Sequence, residues 1–143
     1  MVWESEFRRM DGALEFRNAL LCIDDEALVL LSLKTELRHH FANRLAIYTA
    51  LDGEEANRIF DFCIEERFEN LIVISDLLIP GTTGIHLIEQ FLQKQHPFHL
   101  VFVTGTALPK IPNHWRDTLL SYQQFPKPWE HSLLVSHMET ILI

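Results

Sequence analysis

One stretch, residues 71–84, constrains the fold of this chain more than any other. Residues 71–74 are four apolar residues in a row, three of them β-branched, a pattern typical of a strand buried on both faces of a parallel sheet. The run ends near Asp76, and Pro80 and Gly81 then stop any regular element. A carboxylate at the C-terminal end of a buried strand lies where open α/β sheets bind ligands. An aspartate at this place can also simply cap a turn. The residues at the other strand ends are therefore needed to distinguish a ligand site from a turn cap.

Strand patterns alternate with helix patterns along the rest of the chain. This alternation predicts a parallel sheet with right-handed crossovers and helices on both faces. We expect an α/β fold of the doubly wound, flavodoxin-like type, with five strands in the order 2-1-3-4-5 and strands one and three adjacent. The predicted strands are 19–23, 45–50, 71–75, 98–104 and 122–125, and the predicted helices are 27–40, 54–68, 83–95, 113–120 and 129–143.

Composition narrows the class of protein. The chain has 143 residues, enough for one domain with a real core, and its net charge is −8. An acidic surface argues against direct binding to nucleic acid and against docking on anionic membranes. No apolar run approaches the length of a membrane span and no signal-peptide pattern opens the chain, so we expect a cytoplasmic protein. Cys22 and Cys63 lie in apolar surroundings and are predicted to be buried free thiols.

Residues 1–18 are interpreted as an N-terminal extension, and residues 19–143 as the domain. Trp3, Phe7, Met10 and Leu14 are spaced as one stripe of an amphipathic helix. Such a helix needs a surface to lie on, either the domain or a second copy, which makes a homodimer one arrangement to consider. A disordered leader is the alternative.

Polar side chains follow four of the predicted strands. Asp24 and Asp25 come after the first strand, Asp76 after the third, Thr104 after the fourth and Lys127 after the fifth. Three carboxylates in one pocket repel each other and would recruit a cation, and hard oxygen ligands suit Mg²⁺. Asp76 could then act as a nucleophile towards phosphorus, with the lysine and the threonine hydroxyl facing the charge of the transition state. Each residue alone has an ordinary structural explanation; their coincidence at four strand ends favours a site.

These motifs together resemble the receiver domain of two-component response regulators, the CheY-like family. Residues 21–26 are similar to its acidic pair, and residues 76–84 to its phosphoacceptor loop, including the proline and both glycines. Residues 101–105 are similar to its strand that ends in a hydroxyl, and Lys127-Pro128 to its lysine–proline pair. The resemblance covers nearly the whole chain.

The resemblance implies a function in phosphorelay signalling. Asp76 would accept a phosphoryl group from a sensor histidine kinase or a histidine phosphotransfer protein, and a downstream protein effector or self-association would carry the signal. Asp25, Asp76 and the Leu78 carbonyl would ligate Mg²⁺, with Asp24 acting mostly through water. The resemblance also implies a cis Lys127-Pro128 bond. Such a domain is not an enzyme, beyond catalysing its own phosphorylation and dephosphorylation.

The chain departs from the family pattern at the switch position. The family usually has Tyr or Phe three residues before its lysine, and here that residue is Gln124. Tyr122 and Phe125 are the nearest aromatic residues, so they join Thr104 and Gln124 as switch candidates. Signalling through the usual surface next to this strand is therefore in question.

Two prolines and one leucine mark further departures. Pro109 and Pro112 fall where the fourth helix of the family begins, so we expect this helix to start at Asn113, with Asn113 as its N-cap. Leu78 and Thr106 occupy positions that tune phosphoryl lifetime in the family. Because Leu78 cannot orient a water molecule, we expect a long-lived phosphoryl group.

Three other functions remain as alternatives. A degenerate receiver could act as an interaction module without phosphorylation, as Gln124 and the prolines suggest. A haloacid-dehalogenase-like phosphatase also uses a strand-end aspartate and Mg²⁺, but it needs a second acid where this chain has Leu78. A flavin-binding protein of the same fold would need Gly, Ser and Thr, rather than acids, after the first strand.

Overall fold

Five parallel strands form the central sheet of the protein. The structure is a computed structural model that describes residues 16–107 and 110–143. The sheet order is β2-β1-β3-β6-β7, which is the predicted order once only the parallel strands are counted. The doubly wound architecture is therefore confirmed. The elements are β1 (Asn18–Ile23), α1 (Ala27–Phe41), β2 (Leu45–Ala50), α2 (Gly53–Glu65), β3 (Asn70–Ser75), β4 (Leu78–Ile79), β5 (Thr82–Thr83), α3 (Gly84–Leu92), β6 (His99–Thr104), α4 (Trp115–Thr118), β7 (Ser121–Pro126) and α5 (His131–Ile141).

The sheet divides the core into two layers. Successive residues of β1 alternate between the layers, since Leu21 packs with α2 and α3 while Leu20 packs with α1 and α5. The α2–α3 layer is rich in aromatic rings: Phe60 and Phe91 stack with their centroids 4.1 Å apart, and Phe98 meets Phe60 edge-on. Such aromatic pairs add to the stabilisation that burial of their area provides.

The helices of the two layers differ in how many of their residues are buried. Six residues of α2 are buried, but only Leu134 and Met138 of the eleven residues of α5 are. Leu133 of the same helix is 52% exposed. Since α5 buries little apolar surface, its attachment depends more on polar contacts with α1.

Helix ends differ from the predicted ends where the backbone turns left-handed. α2 was predicted to reach residue 68 but ends at Glu65, and Arg67 follows with φ 59°. α3 was predicted to reach residue 95 but ends at Leu92, and Gln95 has φ 58°. A residue in this conformation ends a helix, and because it is usually glycine, a sequence with Arg or Gln there does not reveal it.

The fourth helix is shorter than predicted. It covers only Trp115–Thr118 rather than 113–120, and His114, not Asn113, precedes it without a side-chain cap. Trp115 is fully buried, and its indole Nε1 donates to Glu89 Oε1 at 2.7 Å. Leu119 is already extended (ψ 142°) and leads into β7. The buried indole therefore sets the position of this turn, and the prediction of Asn113 as N-cap is wrong.

The loop after β3 contains a small hairpin that was not predicted. Leu78 pairs with Thr83 and Ile79 with Thr82, so β4 and β5 run antiparallel. Gly81, between them, has φ 82°, which glycine adopts without strain. The hairpin places the residues after Asp76 in a defined conformation rather than in an irregular loop.

Two buried asparagines join the C-terminus to the edge of the sheet opposite Asp76. Asn18 and Asn70 are direct partners in the β1–β3 register, and Asn70 Nδ2 donates to Asn18 Oδ1 at 3.1 Å. Asn70 Nδ2 also donates to the Ile141 carbonyl at 2.5 Å, and Asn18 Oδ1 accepts from the backbone N–H of Ile143 at 3.0 Å. These bonds satisfy buried polar groups and hold the end of the chain after α5 against β1 and β3.

Other expectations concern the cysteines, the membrane and the N-terminal extension. Cys22 and Cys63 are buried free thiols, and burial raises the pKa of Cys22 to about 12. Within the described residues, no helix is both long and apolar enough to cross a membrane. The four residues of the predicted amphipathic stripe all lie outside the described residues, and the division at residue 19 stays a prediction.

Gly84→Ala should destabilise the fold strongly for so small a change. A Cβ at Gly84 would lie 2.5 Å from the Asp76 carbonyl oxygen and 2.9 Å from Leu77 Cα, both of them backbone atoms. Overpacking of this kind costs about 1–3 kcal/mol. Urea denaturation measures the change in the free energy of unfolding. Gly105→Ala is the matched control, because nothing lies within 4 Å of its Cβ position. Equal stability of the two variants would contradict the prediction.

Candidate functional site

The ends of β1 and β3 bring two carboxylates side by side. Ile23 and Ser75 are direct partners in the register, so Asp24 and Asp76 are the next residues on neighbouring strands. The N–H of Asp76 donates to the Ile23 carbonyl at 3.0 Å, which continues the ladder by one bond. Carboxylate oxygens of Asp24, Asp25 and Asp76 lie within 4.8 Å of one another. The structure therefore places the three predicted aspartates in one cluster.

Lys127 reaches this cluster from the end of β7. Its Nζ donates to Asp24 Oδ2 at 2.5 Å and to Asp76 Oδ2 at 2.8 Å. Its backbone N–H donates to the Thr104 carbonyl at 2.9 Å, and the peptide bond to Pro128 is cis, as the resemblance implied. The hydrogen bond to Thr104 of β6 fixes the backbone of Lys127 at the end of the sheet, where its ammonium contacts both carboxylates.

Lys127 is held in its charged form. Burial lowers the pKa of its ammonium, but the hydrogen bonds and negative charges of Asp24 and Asp76 outweigh burial and raise the pKa above its ordinary value. The side chain is 17% exposed, so solvent screens these contacts less than it would at the surface. The lysine thus acts as a fixed positive charge at neutral pH.

The cluster still has more negative than positive charge. Asp24 and Asp76 are 2% and 8% exposed, whereas Asp25 is exposed at the rim. In the described part of the chain, Lys127 is the one cation within hydrogen-bond distance of these carboxylates. Three carboxylates with one ammonium leave an excess of negative charge, and carboxylate oxygens are the ligands of hard cations. The donor set therefore fits Mg²⁺.

Both oxygens of Asp76 have defined partners. Oδ1 accepts from the N–H of Leu77 at 2.6 Å and, at 3.4 Å, from the N–H of Leu78, while Oδ2 accepts from Lys127. Ser75 Oγ donates to the Asp76 carbonyl at 2.8 Å, which fixes the backbone at this point. These contacts hold the carboxylate in one orientation, which a nucleophile requires.

Thr104 lies at the wall of a groove beside the cluster. Its hydroxyl contacts the Thr106 hydroxyl at 3.1 Å and accepts from the N–H of Thr106 at 3.3 Å. The groove has a volume of about 320 Å³ and extends from Thr104 and Thr106 to Gln124 and Lys127. The sequence singles out Thr104 as a site residue and Thr106 as a position that tunes phosphoryl lifetime, but it does not predict the contact between them.

The switch candidates on β7 lie on different faces. Tyr122 packs edge-on against Phe102 in the α2–α3 layer, while Phe125 belongs to the α1–α5 layer and contacts His137. Gln124 is exposed, and Tyr122 Oη lies 3.5 Å from its Oε1. Because alternate residues of a strand share a face, Tyr122 is the aromatic residue on the same side as Gln124. Their roles, and that of the Leu78 carbonyl as a ligand, stay predictions.

Lys127→Met should destabilise the protein, because it leaves two buried carboxylates without their cation. We expect a loss on the order of 3–5 kcal/mol in the free energy of unfolding without divalent ions. Since the pKa of Lys127 is raised in the folded state, its contribution is complete below the ordinary lysine pKa of about 10.4 and is lost as pH rises through the raised value.

Urea denaturation from neutral to alkaline pH checks this expectation. The difference between wild type and Lys127→Met should be constant at neutral pH and shrink at alkaline pH. Lys110→Met, at an exposed position, is the control and should change little. A difference that grows with pH would contradict the assignment of Lys127 as the stabilising charge.

Comparison of the sequence with known proteins finds no match to a protein-family model and none among curated proteins. Comparison of the structure does find matches. The signal receiver domain of an HD domain-containing protein from Pseudomonas fluorescens Pf-5 is 20% identical, with a TM-score of 0.70, over 87% of this chain and 94% of the other. The Vibrio cholerae chemotaxis protein CheY4 is 20% identical, with a TM-score of 0.65, over 87% and 98%.

A third similar structure is the response regulator protein TrrA from Thermotoga maritima, solved in complex with Mg²⁺-BeF. It is 24% identical to this chain, with a TM-score of 0.64, over 87% of this chain and 99% of the other. Each of the three matches covers most of both chains. The protein therefore has the CheY-like fold of response regulator receiver domains.

Proposed function

We propose that this protein is a phosphoryl acceptor in two-component signalling, with Asp76 as the acceptor. One observation carries the proposal: Lys127 Nζ bridges Asp76 and Asp24 at the carboxyl edge of the sheet, inside a cluster of three carboxylates. A structural ion pair alone would not need the third carboxylate or the excess of negative charge. A phosphoryl-transfer site needs both a nucleophile and cations.

The chemistry follows from the partners of each atom. An Asp76 carboxylate oxygen forms a bond to the phosphorus of a phosphohistidine as the P–N bond breaks, and the imidazole leaves with the electron pair. Negative charge then spreads over three phosphoryl oxygens. Thr104 and Lys127 line the groove beside the cluster, and their hydroxyl and ammonium groups would donate to these oxygens. Asp24, Asp25, Asp76 and the Leu78 carbonyl would hold Mg²⁺, which supplies further positive charge.

The donor and the receiver of the signal are proteins in this proposal. A sensor histidine kinase or a histidine phosphotransfer protein supplies the phosphoryl group, and a downstream protein effector or self-association reads it. The net charge of −8 argues against nucleic acid as the direct target and against membrane binding, which suits a cytoplasmic protein. The protein would have no turnover other than its own phosphorylation and dephosphorylation.

A second candidate function is a protein-interaction module that works without phosphorylation. Two observations favour it: Gln124 is exposed where an aromatic switch is usual, and α4 has only four residues. Both features alter the surface around β7, whereas the three carboxylates and the lysine of the cluster are all present. The two functions differ in whether Asp76 accepts phosphate.

Intact-mass analysis after incubation with acetyl phosphate and Mg²⁺ should show one added phosphoryl group in the wild type. Asp76→Asn should show none, since the amide is not a nucleophile towards phosphorus. Asp117→Asn, on α4, removes the same charge elsewhere and should behave as the wild type. If neither the wild type nor the control gains mass, the interaction module becomes the better explanation. Gain of mass in Asp76→Asn would assign another acceptor.

The phosphoryl group should be long-lived, because Leu78 is apolar and 63% exposed beside the acceptor. An apolar side chain orients no water for attack on phosphorus, so dephosphorylation lacks this assistance. Leu78→Asn should shorten the lifetime several-fold, as followed by the decay of the phosphorylated mass. Leu120→Asn, at another exposed leucine, should leave the lifetime unchanged. Loss of phosphate within seconds from the wild type would contradict this expectation.

A further inference from the structure

A polar seam joins α1 to the start of α5, just after Lys127 in the chain. We use "seam" for Glu36 and His40 on α1 together with Trp129 and His131. Trp129 Nε1 donates to Glu36 Oε2 at 2.7 Å, and His131 Nδ1 contacts the other oxygen, Oε1, of the same carboxylate. The Glu36 side chain is only 17% exposed, so it is a well-packed partner rather than a solvated acid.

The contact with Glu36 determines how His131 presents its second nitrogen. A carboxylate only accepts hydrogen bonds, so His131 carries a proton on Nδ1. In the neutral ring, Nε2 then has a free lone pair. This atom lies 2.7 Å from Nε2 of His40, and the ring centroids are 4.7 Å apart. Two imidazole nitrogens at this distance share one proton in a hydrogen bond, and a cation that bound both nitrogens would replace this proton.

We propose that His40 and His131 form a second metal site, for a transition-metal cation such as Zn²⁺ or Ni²⁺. Imidazole nitrogen suits these ions, whereas Mg²⁺ prefers oxygen, so the seam and the carboxylate cluster select different metals. Glu36 supplies the carboxylate that commonly orients a metal-bound histidine through its other ring nitrogen.

The geometry needs only a small movement to accept the ion. Two nitrogen ligands of a tetrahedral Zn²⁺ lie about 3.3 Å apart, given bonds of about 2.0–2.1 Å. The present separation of 2.7 Å would therefore open by about 0.6 Å. Both histidines are exposed, so the ion can enter from solvent and water can complete its coordination.

Binding at the seam would fasten α5 to α1 beside the turn that carries Lys127. Trp129, which is also bonded to Glu36, follows Lys127 by two residues. A ligand that binds the folded state stabilises it in proportion to the logarithm of its concentration. The metal would therefore raise the stability of the α1–α5 contact, whether or not Asp76 accepts phosphate.

Calorimetric titration of the tag-free protein with Ni²⁺, in millimolar Mg²⁺ to occupy the carboxylate cluster, tests the site. We expect one Ni²⁺ per chain, with affinity reduced by about tenfold or more in His40→Gln and in His131→Gln. His39→Gln is the matched control: His39 is one residue away and lines a different groove, with Leu31 and Thr35, so binding should be unchanged. Ni²⁺ should also raise the melting temperature of the wild type and the control, but not of the other two variants.

Several results would overturn the proposal. Absence of saturable binding would leave a proton as the bridge between the two rings. Equal loss in His39→Gln, or none in the other two variants, would place the metal elsewhere. A measurement on the wild type alone guards against misfolded variants: protons compete with the metal for imidazole nitrogen, so Ni²⁺ binding should disappear at acidic pH, about pH 5. Binding that persists at this pH would point to carboxylate ligands and against the seam.

Discussion

The bridge from Lys127 to Asp24 and Asp76 is the interaction on which the arrangement of this protein depends. It joins the end of the last strand to the ends of two central strands, over 103 and 51 residues of sequence. Burying two carboxylates is costly unless a cation pairs with them. The sheet order brings Lys127 to Asp24 and Asp76, and this pairing allows both carboxylates to be buried. The Lys127 ammonium, which stabilises the fold, is also the positive charge that would contact a transferred phosphoryl group.

The architecture could be predicted because local pattern and global order agree. Residues 71–74 are typical of a strand buried on both faces, and buried parallel strands require crossover connections, usually helical. The position of the cluster followed from the same reasoning, since carboxyl ends of parallel strands meet at one edge. Asp24, Asp76 and Lys127 could thus be placed together without knowledge of any contact.

What could not be predicted depends on contacts between distant residues. Asn113 is a good N-cap by type, but the burial of Trp115 and its bond to Glu89 decide where the turn lies. Arg67 and Gln95 follow helix ends in the left-handed conformation, which cannot be predicted from an arginine or a glutamine in the sequence. The seam between α1 and α5 joins residues about 90 apart in sequence, and neither Glu36 nor His40 belongs to a motif. Side-chain pairing across elements therefore limits what sequence patterns can reveal.

The unequal burial of the helices has a consequence for the motions of the molecule. α2 and α3 are anchored by stacked aromatic rings, while α5 is anchored by two buried side chains and polar contacts at its ends. Segments with few buried apolar contacts open locally at a lower free energy than global unfolding. α5 is therefore expected to exchange its amide hydrogens before α2 and α3 do. The α1–α5 layer would then open at this helix while the aromatic α2–α3 layer remains folded, so the two layers of the core differ in how long they stay closed.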